Sequence, residues 1–316
     1  MVYDCFTFFN ELDLLEIRLN VLNDVVDKFV LVEMNKTHTG ADKPFVFEQN
    51  KKRFAKFLPK IIHIKVDDYP DLKGSNADFY GNKWLLENYQ RDKIMDGLKN
   101  AKDEDVVIIS DLDEIPDPNV IKSYDKSGIW VLDQKMFYYF VNMLCKNSPI
   151  WPNGTRVGRY HDLKNPNQEL EKCEFYEFSK FGMPTYFRFC RGKRILNAGW
   201  HFSYCGGVQA IINKRKAIVE QQFNTTENMS EEYILNKIKK GEDIFGREYS
   251  YVAIPLDKSF PKYIIDNQEK YSDLIFKCTI LDKYRYTLLS FKRFVYRFLS
   301  KILLNRKLRH YFHHKI

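Results

Sequence analysis

The sequence lacks the features that mark membrane-spanning and zinc-ribbon proteins. Its 316 residues contain no uncharged apolar run of about eighteen residues, so no transmembrane helix is predicted. The six cysteines form no Cys-X-X-Cys pair, and Cys5 and Cys190 lie among large apolar residues that favour free buried thiols. Met1–Asp4 has no basic segment of a signal peptide. We therefore expect a globular protein of a reducing, cytoplasmic compartment.

Signatures of several enzyme classes are also missing. There is no Walker A pattern and no Gly-X-Gly-X-X-Gly, and Gly206-Gly207 does not have the form of a phosphate-binding loop. No arrangement of Ser, His and Asp and no Cys signature indicates a covalent nucleophile. P-loop enzymes and covalent hydrolases are therefore not favoured.

Acidic residues are absent from segment 285–316, which contains nine Lys and Arg residues. Because the whole chain carries +8, residues 1–284 carry a net charge of −1. Apolar residues of the segment recur at helical spacing: Leu289, Val295, Leu299 and Ile302. The pattern predicts a basic amphipathic helix that lies on an anionic membrane surface or packs on the body of the protein. Nucleic acid is not the expected partner, since the body is nearly neutral.

The first half of the sequence alternates between short apolar runs and helical patterns. The predicted strands are Val2–Phe9, Lys28–Glu33, Ile61–Val66, Asp105–Ser110 and Ile129–Leu132. The predicted helices are Glu11–Asn23, Gln49–Phe57 and Lys83–Lys99. This alternation predicts an α/β fold with a mostly parallel, Rossmann-like sheet flanked by helices. The second half is less regular, and we expect one domain over residues 1–284 followed by the tail 285–316.

An acidic segment, Asp111-Leu112-Asp113-Glu114, directly follows a strand of four β-branched residues. Asp111 and Asp113 point to the same side of an extended chain. Ligands of parallel sheets bind beyond the carboxyl ends of the strands, where this segment lies. The segment is either a solvated acidic turn or a site for Mg²⁺ or Mn²⁺, which prefer oxygen ligands and often bridge to substrate phosphates.

Further candidate residues are polar groups in apolar or basic surroundings. Asn88 and Arg91 share a helix face with Trp84 and Met95, so they either bond to the sheet or reach into a nucleotide pocket. Arg188 begins a basic cluster that is either solvated or binds phosphate. The imidazole of His201 has either a structural role or a role as metal ligand, base or phosphate contact.

Several motifs, in order, resemble glycosyltransferase family 17. They are Tyr3–Glu11, Leu14–Leu19, Val25–Glu33, Thr37–Gly40, Tyr89–Arg91, Ser110–Pro116 and Ala198–Ser203. The order agrees from about Tyr3 to Tyr271, with Gln134–Ile195 poorly matched. The resemblance implies a GT-A-like catalytic domain, a UDP-sugar donor, transfer of N-acetylglucosamine with inversion, and a divalent metal, Mn²⁺ or Mg²⁺. It also implies that Asp111 and Asp113 bind the metal.

Roles follow for the other candidates. We expect the nucleotide-sugar donor to contact Glu33, Asn88, Arg91, Asp111 and Arg188. Attack by an acceptor hydroxyl needs a general base, for which His201, Glu177 and Asp243 are candidates. Animal members of the family carry an N-terminal membrane anchor, whereas this sequence begins at the first motif. We therefore expect a glycan or lipid-linked glycan acceptor, as in surface polysaccharide synthesis; the alternative is a membrane-tethered nucleotide-sugar or glycan-binding protein without transfer activity.

Overall fold

The structure, a computed structural model, describes residues 1–69, 81–152, 154–164, 182–217 and 224–279, together with 287, 288 and 295. Glu177 and nearly all of the predicted tail 285–316 lie outside these ranges. Within them, no helix is both long and apolar enough to cross a bilayer. The chain divides into two compact units. Unit 1 comprises Met1–Lys135, Trp151–His201 and Asn213–Gln222, and unit 2 comprises Met136–Ile150, Phe202–Ile212 and Phe223–Ile316.

The described residues form thirteen β-strands, ten α-helices and two short 3-10 helices, and strands and helices alternate through the first third of the chain. The strands are β1 (Val2–Phe8), β2 (Lys28–Met34), β3 (Ile61–Val66), β4 (Val106–Asp111), β5 (Glu114–Pro116), β6 (Trp130–Leu132), β7 (Gln134–Tyr138), β8 (Met143–Cys145), β9 (Ile150–Trp151), β10 (Arg156–Arg159), β11 (Lys193–Ile195), β12 (Gly199–Ser203) and β13 (Tyr251–Ala253). The α-helices are α1 (Leu12–Leu22), α2 (Val46–Asn50), α3 (Gly81–Asp92), α4 (Ile94–Gly97), α5 (Pro118–Lys122), α6 (Tyr160–Lys164), α7 (Met183–Arg188), α8 (Gly207–Ala217), α9 (Glu231–Lys240) and α10 (Lys262–Asp266). Short 3-10 helices span Lys51–Phe57 and Ser272–Leu274.

A seven-stranded sheet in the order β11-β6-β10-β4-β1-β2-β3 forms the centre of unit 1. Strands β4, β1, β2 and β3 are mutually parallel, and β10 runs antiparallel between β4 and β6. Thr7, near the end of β1, lies opposite both Val32 and Asp111. The predicted α/β class, with a mostly parallel sheet flanked by helices, is therefore confirmed. The carboxyl ends of β1, β2 and β4 meet at one edge, and Asp111 lies there.

Both faces of this sheet are buried, because helices cover each of them. On one face the strands and the helices α3, α4 and α7 share a core that includes Tyr3, Cys5, Val30, Val107, Ile109, Leu86, Ile94, Phe187 and Cys190. On the other face α1 places the Arg18 guanidinium 4.5 Å from the centre of the Phe6 ring. The thiols of Cys5 and Cys190 are buried, as predicted.

The helix predicted over Lys83–Lys99 is instead two helices, α3 and α4, with a break at Lys93. The carboxylate of Asp92 at the break accepts hydrogen bonds from the backbone N–H groups of Gly182 (2.7 Å) and Thr185 (2.9 Å). At the end of α4, a side chain on Gly97 would lie 2.3 Å from Cγ1 of Val30. Close packing of α4 on β2 and the capping of α7 therefore set the break, and neither is visible in the helical periodicity.

Unit 2 is built around aromatic packing. Strand β8 pairs antiparallel with β7 and β13. The rings of Tyr138 and Tyr251 stack with 5.0 Å between their centres, and Tyr204 packs on Tyr138 at 5.0 Å. Helix α9 is capped at its start by the Ser230 hydroxyl and at its end by Gly241 in the left-handed conformation. Aromatic side chains thus supply much of the core of this unit.

The pairing of β12 with β5 depends on the glycine at position 199. Gly199 has φ +144°, and a Cβ there would lie 2.3 Å from the carbonyl oxygen of Ile115. Since Gly199 lies opposite Pro116, its close approach sets His201 opposite Glu114. We expect Gly199→Ala to lower the free energy of unfolding, measured in urea, by more than about 1 kcal/mol.

The matched control is Gly40→Ala. Gly40 also has a positive φ, +87°, but no atom lies within 4 Å of the position a Cβ would take. Gly40→Ala should therefore lower the free energy of unfolding only by the cost of placing alanine at a positive φ. Equal losses in the two variants would show that the close approach to Ile115 contributes nothing.

Candidate active site

A fully buried ion pair lies beneath the acidic segment. Arg18 of α1 donates from Nε and Nη2 to the two carboxylate oxygens of Asp4 in β1, at 2.8 and 2.6 Å. Its Nη1 donates to three carbonyl oxygens, those of Asp111 (2.9 Å), Leu112 (3.1 Å) and Glu114 (2.8 Å). One guanidinium therefore fixes the backbone turn that joins β4 to β5 and carries the carboxylates.

Asp111, the last residue of β4, lies between two buried arginines. Arg91 of α3 donates to its Oδ1 at 3.2 Å, and Arg188 at the end of α7 donates to its Oδ2 at 3.1 Å. Burial favours the neutral acid, but attraction to Arg188 and Arg91 outweighs it and lowers the pKa of Asp111 to about 2. The carboxylate is therefore ionised at neutral pH, with its side chain 38% exposed.

Asp113 lies in the turn between β4 and β5, and its side chain is nearly buried. Lys214 of α8 donates from Nζ to Oδ2 at 2.9 Å and lies 3.2 Å from a carboxylate oxygen of Glu11. Nε2 of His201 lies 3.6 Å from Oδ1. Burial opposes ionisation, but Lys214 and His201 hold the pKa of Asp113 well below its usual range.

Glu114 joins the two halves of this network. Its Oε1 accepts hydrogen bonds from Nη2 of Arg188 (2.6 Å) and from the indole Nε1–H of Trp151 (2.7 Å). The Trp151 ring centre lies 4.8 Å from that of His201. Through Glu114 and Trp151, the groups around Asp111 connect with those around Asp113.

Several predicted residues meet in this network. Arg91 donates to Oδ1 of Asn88 (3.0 Å) and to Glu87 (2.9 Å) as well as to Asp111. The pair predicted on one helix face thus reaches the end of β4, with Asn88 orienting Arg91. Arg188 belongs to the site, but Arg194 of the same predicted basic cluster pairs with Asp133 instead.

Two other predicted residues have separate surroundings. Glu33, fully buried at the end of β2, accepts from the backbone N–H groups of Val46 and Phe47 and pairs with Lys43 and His63, so it anchors the start of α2. Asp243 of unit 2 is engaged by the Arg247 guanidinium and the Tyr251 hydroxyl. The roles predicted for Glu33, Asp243 and Glu177 stay predictions.

Residues that the sequence pattern did not single out complete the site. Lys214 and Trp151 come from distant segments, and only the tertiary structure places them beside the carboxylates. The sequence could have identified Arg18 as a buried residue, since it lies on the same helix face as Leu15 and Leu22. A charge on an apolar stripe requires a buried partner, and Asp4 supplies it.

A divalent cation fits the charge of the site. Across the described ranges, no cluster of three or more His, Cys, Asp and Glu side chains is placed to hold a metal ion by itself. The network nevertheless joins five carboxylates (Glu11, Glu87, Asp111, Asp113, Glu114) to three cations (Arg91, Arg188, Lys214), a net charge of −2 with neutral histidines. Mg²⁺ and similar ions bind through one or two carboxylates together with substrate phosphates, and the pair Asp111 and Asp113 is compatible with this mode of binding.

The first 148 residues of the sequence are similar to a known family. Residues 1–148 match the family model described as glycosyltransferase family 17. This match supports membership of glycosyltransferase family 17. The matched stretch contains Asp4, Arg18, Arg91 and the whole acidic segment, but not Arg188.

Curated relatives support this similarity. The chain is 26% identical over 301 residues to the human β-1,4-mannosyl-glycoprotein 4-β-N-acetylglucosaminyltransferase, a match that covers 84% of this chain and 53% of the human protein. The rat enzyme of the same name gives the same values. The chain thus spans about half the length of the curated relatives it matches. The glycosyltransferase GlyE of Streptococcus pneumoniae is a remote structural match, with 13% identity, a TM-score of 0.32, and coverage of 62% of this chain and 44% of GlyE. It carries no argument about function.

Removal of the Arg18 guanidinium should destabilise the protein strongly. Arg18→Met leaves the Asp4 carboxylate buried without its counterion, so we expect a loss of about 3–5 kcal/mol in the free energy of unfolding. The double variant Asp4→Leu with Arg18→Met removes both charges and should recover part of this loss. Urea denaturation compares the three proteins, and a double variant no more stable than the single one would contradict the ion-pair explanation.

The low pKa of Asp111 predicts a pH-dependent contribution to stability. A carboxyl whose pKa is depressed in the folded state stabilises the fold above its unfolded value of about 3.9, and this contribution is lost as pH falls through the folded value. We expect the melting temperature of the wild type to exceed that of Asp111→Asn at pH 5–7 by a constant margin. The margin should shrink between about pH 4 and pH 2.

Asp24→Asn serves as the control, since it removes an exposed carboxylate outside the network. Its melting temperature should follow that of the wild type through the same pH range. A margin for Asp111→Asn that does not change with pH would show that ionisation of this carboxyl does not stabilise the fold.

Proposed function

We propose that this chain is an inverting, metal-dependent glycosyltransferase that moves N-acetylglucosamine from UDP-N-acetylglucosamine to a glycan hydroxyl. The observation that carries the proposal is the pair of ionised carboxylates, Asp111 and Asp113, held among cationic side chains at the carboxyl ends of parallel strands in a chain similar to glycosyltransferase family 17. Ligand sites of open parallel sheets lie at this edge. The names of the curated relatives specify the same transferred sugar.

The leaving group of such a reaction is a diphosphate, which needs positive charge around it. Arg91, Arg188 and Lys214 supply fixed cations that are already oriented by their carboxylate partners. Asp111 and Asp113 would hold the divalent ion, Mn²⁺ or Mg²⁺, which neutralises charge on the departing diphosphate. The rigid turn above Arg18 keeps both carboxylates in place while the donor exchanges.

Inversion by single displacement requires a base at the acceptor hydroxyl. Of the three candidates, His201 lies in the carboxylate network, with Nε2 3.6 Å from Asp113 and Nδ1 without a hydrogen-bond partner in the described part of the chain. An imidazole placed in this way accepts a proton while Asp113 stabilises the cation that forms. We therefore propose His201 as the base.

The acceptor and its location are the broadest part of the proposal. The relatives' names give a mannosyl glycoprotein as their substrate. For this chain we propose a glycan or lipid-linked glycan, elongated at the cytoplasmic surface of a membrane. The support is the composition of residues 285–316, with nine cationic and no acidic residues, which suits an anionic lipid surface.

The test is UDP release from UDP-N-acetylglucosamine with Mn²⁺ and a panel of glycan acceptors. We expect turnover that chelation abolishes and Mn²⁺ restores. Asp113→Asn should reduce kcat/KM by roughly 100-fold or more, because a metal ligand supplies several kcal/mol of charge stabilisation in the transition state. Asp24→Asn, on the surface, is the control and should leave kcat/KM unchanged.

The outcomes separate the parts of the proposal. Turnover that is unchanged in Asp113→Asn would refute the metal site. Binding of UDP-N-acetylglucosamine without UDP release in any acceptor would instead identify a nucleotide-sugar or glycan-binding protein without transfer activity.

A further inference from the structure

Buried polar atoms without hydrogen-bond partners concentrate beside the carboxylates. Across the described ranges, eight buried side-chain nitrogen and oxygen atoms have no partner. Five of them belong to four residues near Glu114: Oε1 and Nε2 of Gln134, Oγ1 of Thr155, Nη1 of Arg188 and Nδ1 of His201. An unsatisfied buried polar atom is costly, so native structures contain few of them and each requires an explanation.

The contacts of Trp151 and Gly154 join these residues into one cluster. Trp151 donates to Glu114, which also accepts from Arg188, and its ring packs on that of His201. A Cβ placed on Gly154 would lie 2.5 Å from Oε1 of Gln134 and 3.0 Å from Cδ1 of Trp151. Because Gly154 has no side chain, the Gln134 amide and the Trp151 indole can lie close together.

Thr155 extends the cluster along the chain. It directly follows Gly154, and its carbonyl oxygen accepts a hydrogen bond from the N–H of Leu132 at 3.0 Å. Leu132 precedes Gln134 by two residues, so this hydrogen bond places Thr155 near Gln134. We call the cluster of Gln134, Trp151, Gly154, Thr155, Arg188 and His201 the Gln134 pocket.

We propose that the Gln134 pocket binds the hydroxyl and acetamido groups of the transferred sugar and so determines which sugar is transferred. The inference rests on the proposed function. An acetamido group has one N–H donor and one carbonyl acceptor, which match the acceptor and donor of the unpaired Gln134 amide. Thr155 and Arg188 provide further groups for sugar hydroxyls.

The position of the pocket supports a sugar rather than a nucleotide as its ligand. It shares Arg188 with Asp111 and His201 with Asp113, so it adjoins the carboxylates at which the diphosphate is proposed to bind. Trp151 is the one partly exposed member of the pocket, and its ring offers an apolar surface to a sugar face.

The experiment uses near-isosteric apolar substitutions, Gln134→Met and Thr155→Val, with binding of UDP and of UDP-N-acetylglucosamine measured by calorimetry. Each variant removes polar atoms that have no partner in the unliganded protein, so its melting temperature should equal or exceed that of the wild type. The dissociation constant for UDP-N-acetylglucosamine should rise about tenfold, while that for UDP stays within about twofold. Stability and sugar affinity are thus expected to change independently.

Trp130→Phe is the control for binding, because the Trp130 indole N–H is also buried and unpaired but lies outside the Gln134 pocket. It should leave both dissociation constants unchanged. A fall in melting temperature with unchanged affinity for the nucleotide sugar would mean that the polar atoms serve the fold, through internal water, and would overturn the inference. Failure of the wild type to bind UDP at all would overturn the proposed function and the inference with it.

Discussion

The buried pair of Asp4 and Arg18 is the constraint on which the site depends. Neither side chain is exposed, so each charge must be compensated inside the protein. Asp4 uses only part of the guanidinium, and the remaining N–H groups bond to the Ser110 hydroxyl and to carbonyl oxygens of the acidic segment. The turn after β4 therefore cannot move away without leaving buried donors unpaired. Rigid placement of carboxylates is what a cation or diphosphate site requires.

The cations around this turn come from three separate helices. Arg91, Arg188 and Lys214 lie on α3, α7 and α8, and each pairs with a carboxylate of the acidic segment. Because attraction to these cations outweighs burial, both aspartates remain ionised far below neutral pH. The carboxylates still outnumber the cations by two, so the site retains the negative charge that favours a divalent ion. The site thus contains ionised carboxylates beside fixed cations and still has a net negative charge.

Patterns that reflect short-range structure were predictable from the sequence. The apolar runs located β1 to β4, and the position of Asp111 and Asp113 after β4 located the centre of the site. The break between α3 and α4 was not predictable, because it depends on Gly97 meeting β2 and on Asp92 capping α7. The roles of Lys214 and Trp151 were not predictable either, because their partners are more than thirty residues away in sequence. Arg18 was the exception, since a charge on an apolar helix face already implies a buried partner.

The unpaired polar atoms beside the site bear on both the stability of the protein and its affinity for a ligand. We expect Gln134 and Thr155 to lower the stability of the unliganded protein, because their buried polar atoms have no partner among the described residues. A ligand that forms hydrogen bonds with such atoms removes the cost of leaving them unpaired. The free energy recovered in this way adds to the affinity for the ligand. The Asp4–Arg18 pair shows the opposite solution, since its groups find their partners within the protein. On one side of the acidic segment the polar groups are paired within the folded chain, and that side supports the site. On the other side polar atoms are unpaired, and there we propose recognition of the sugar.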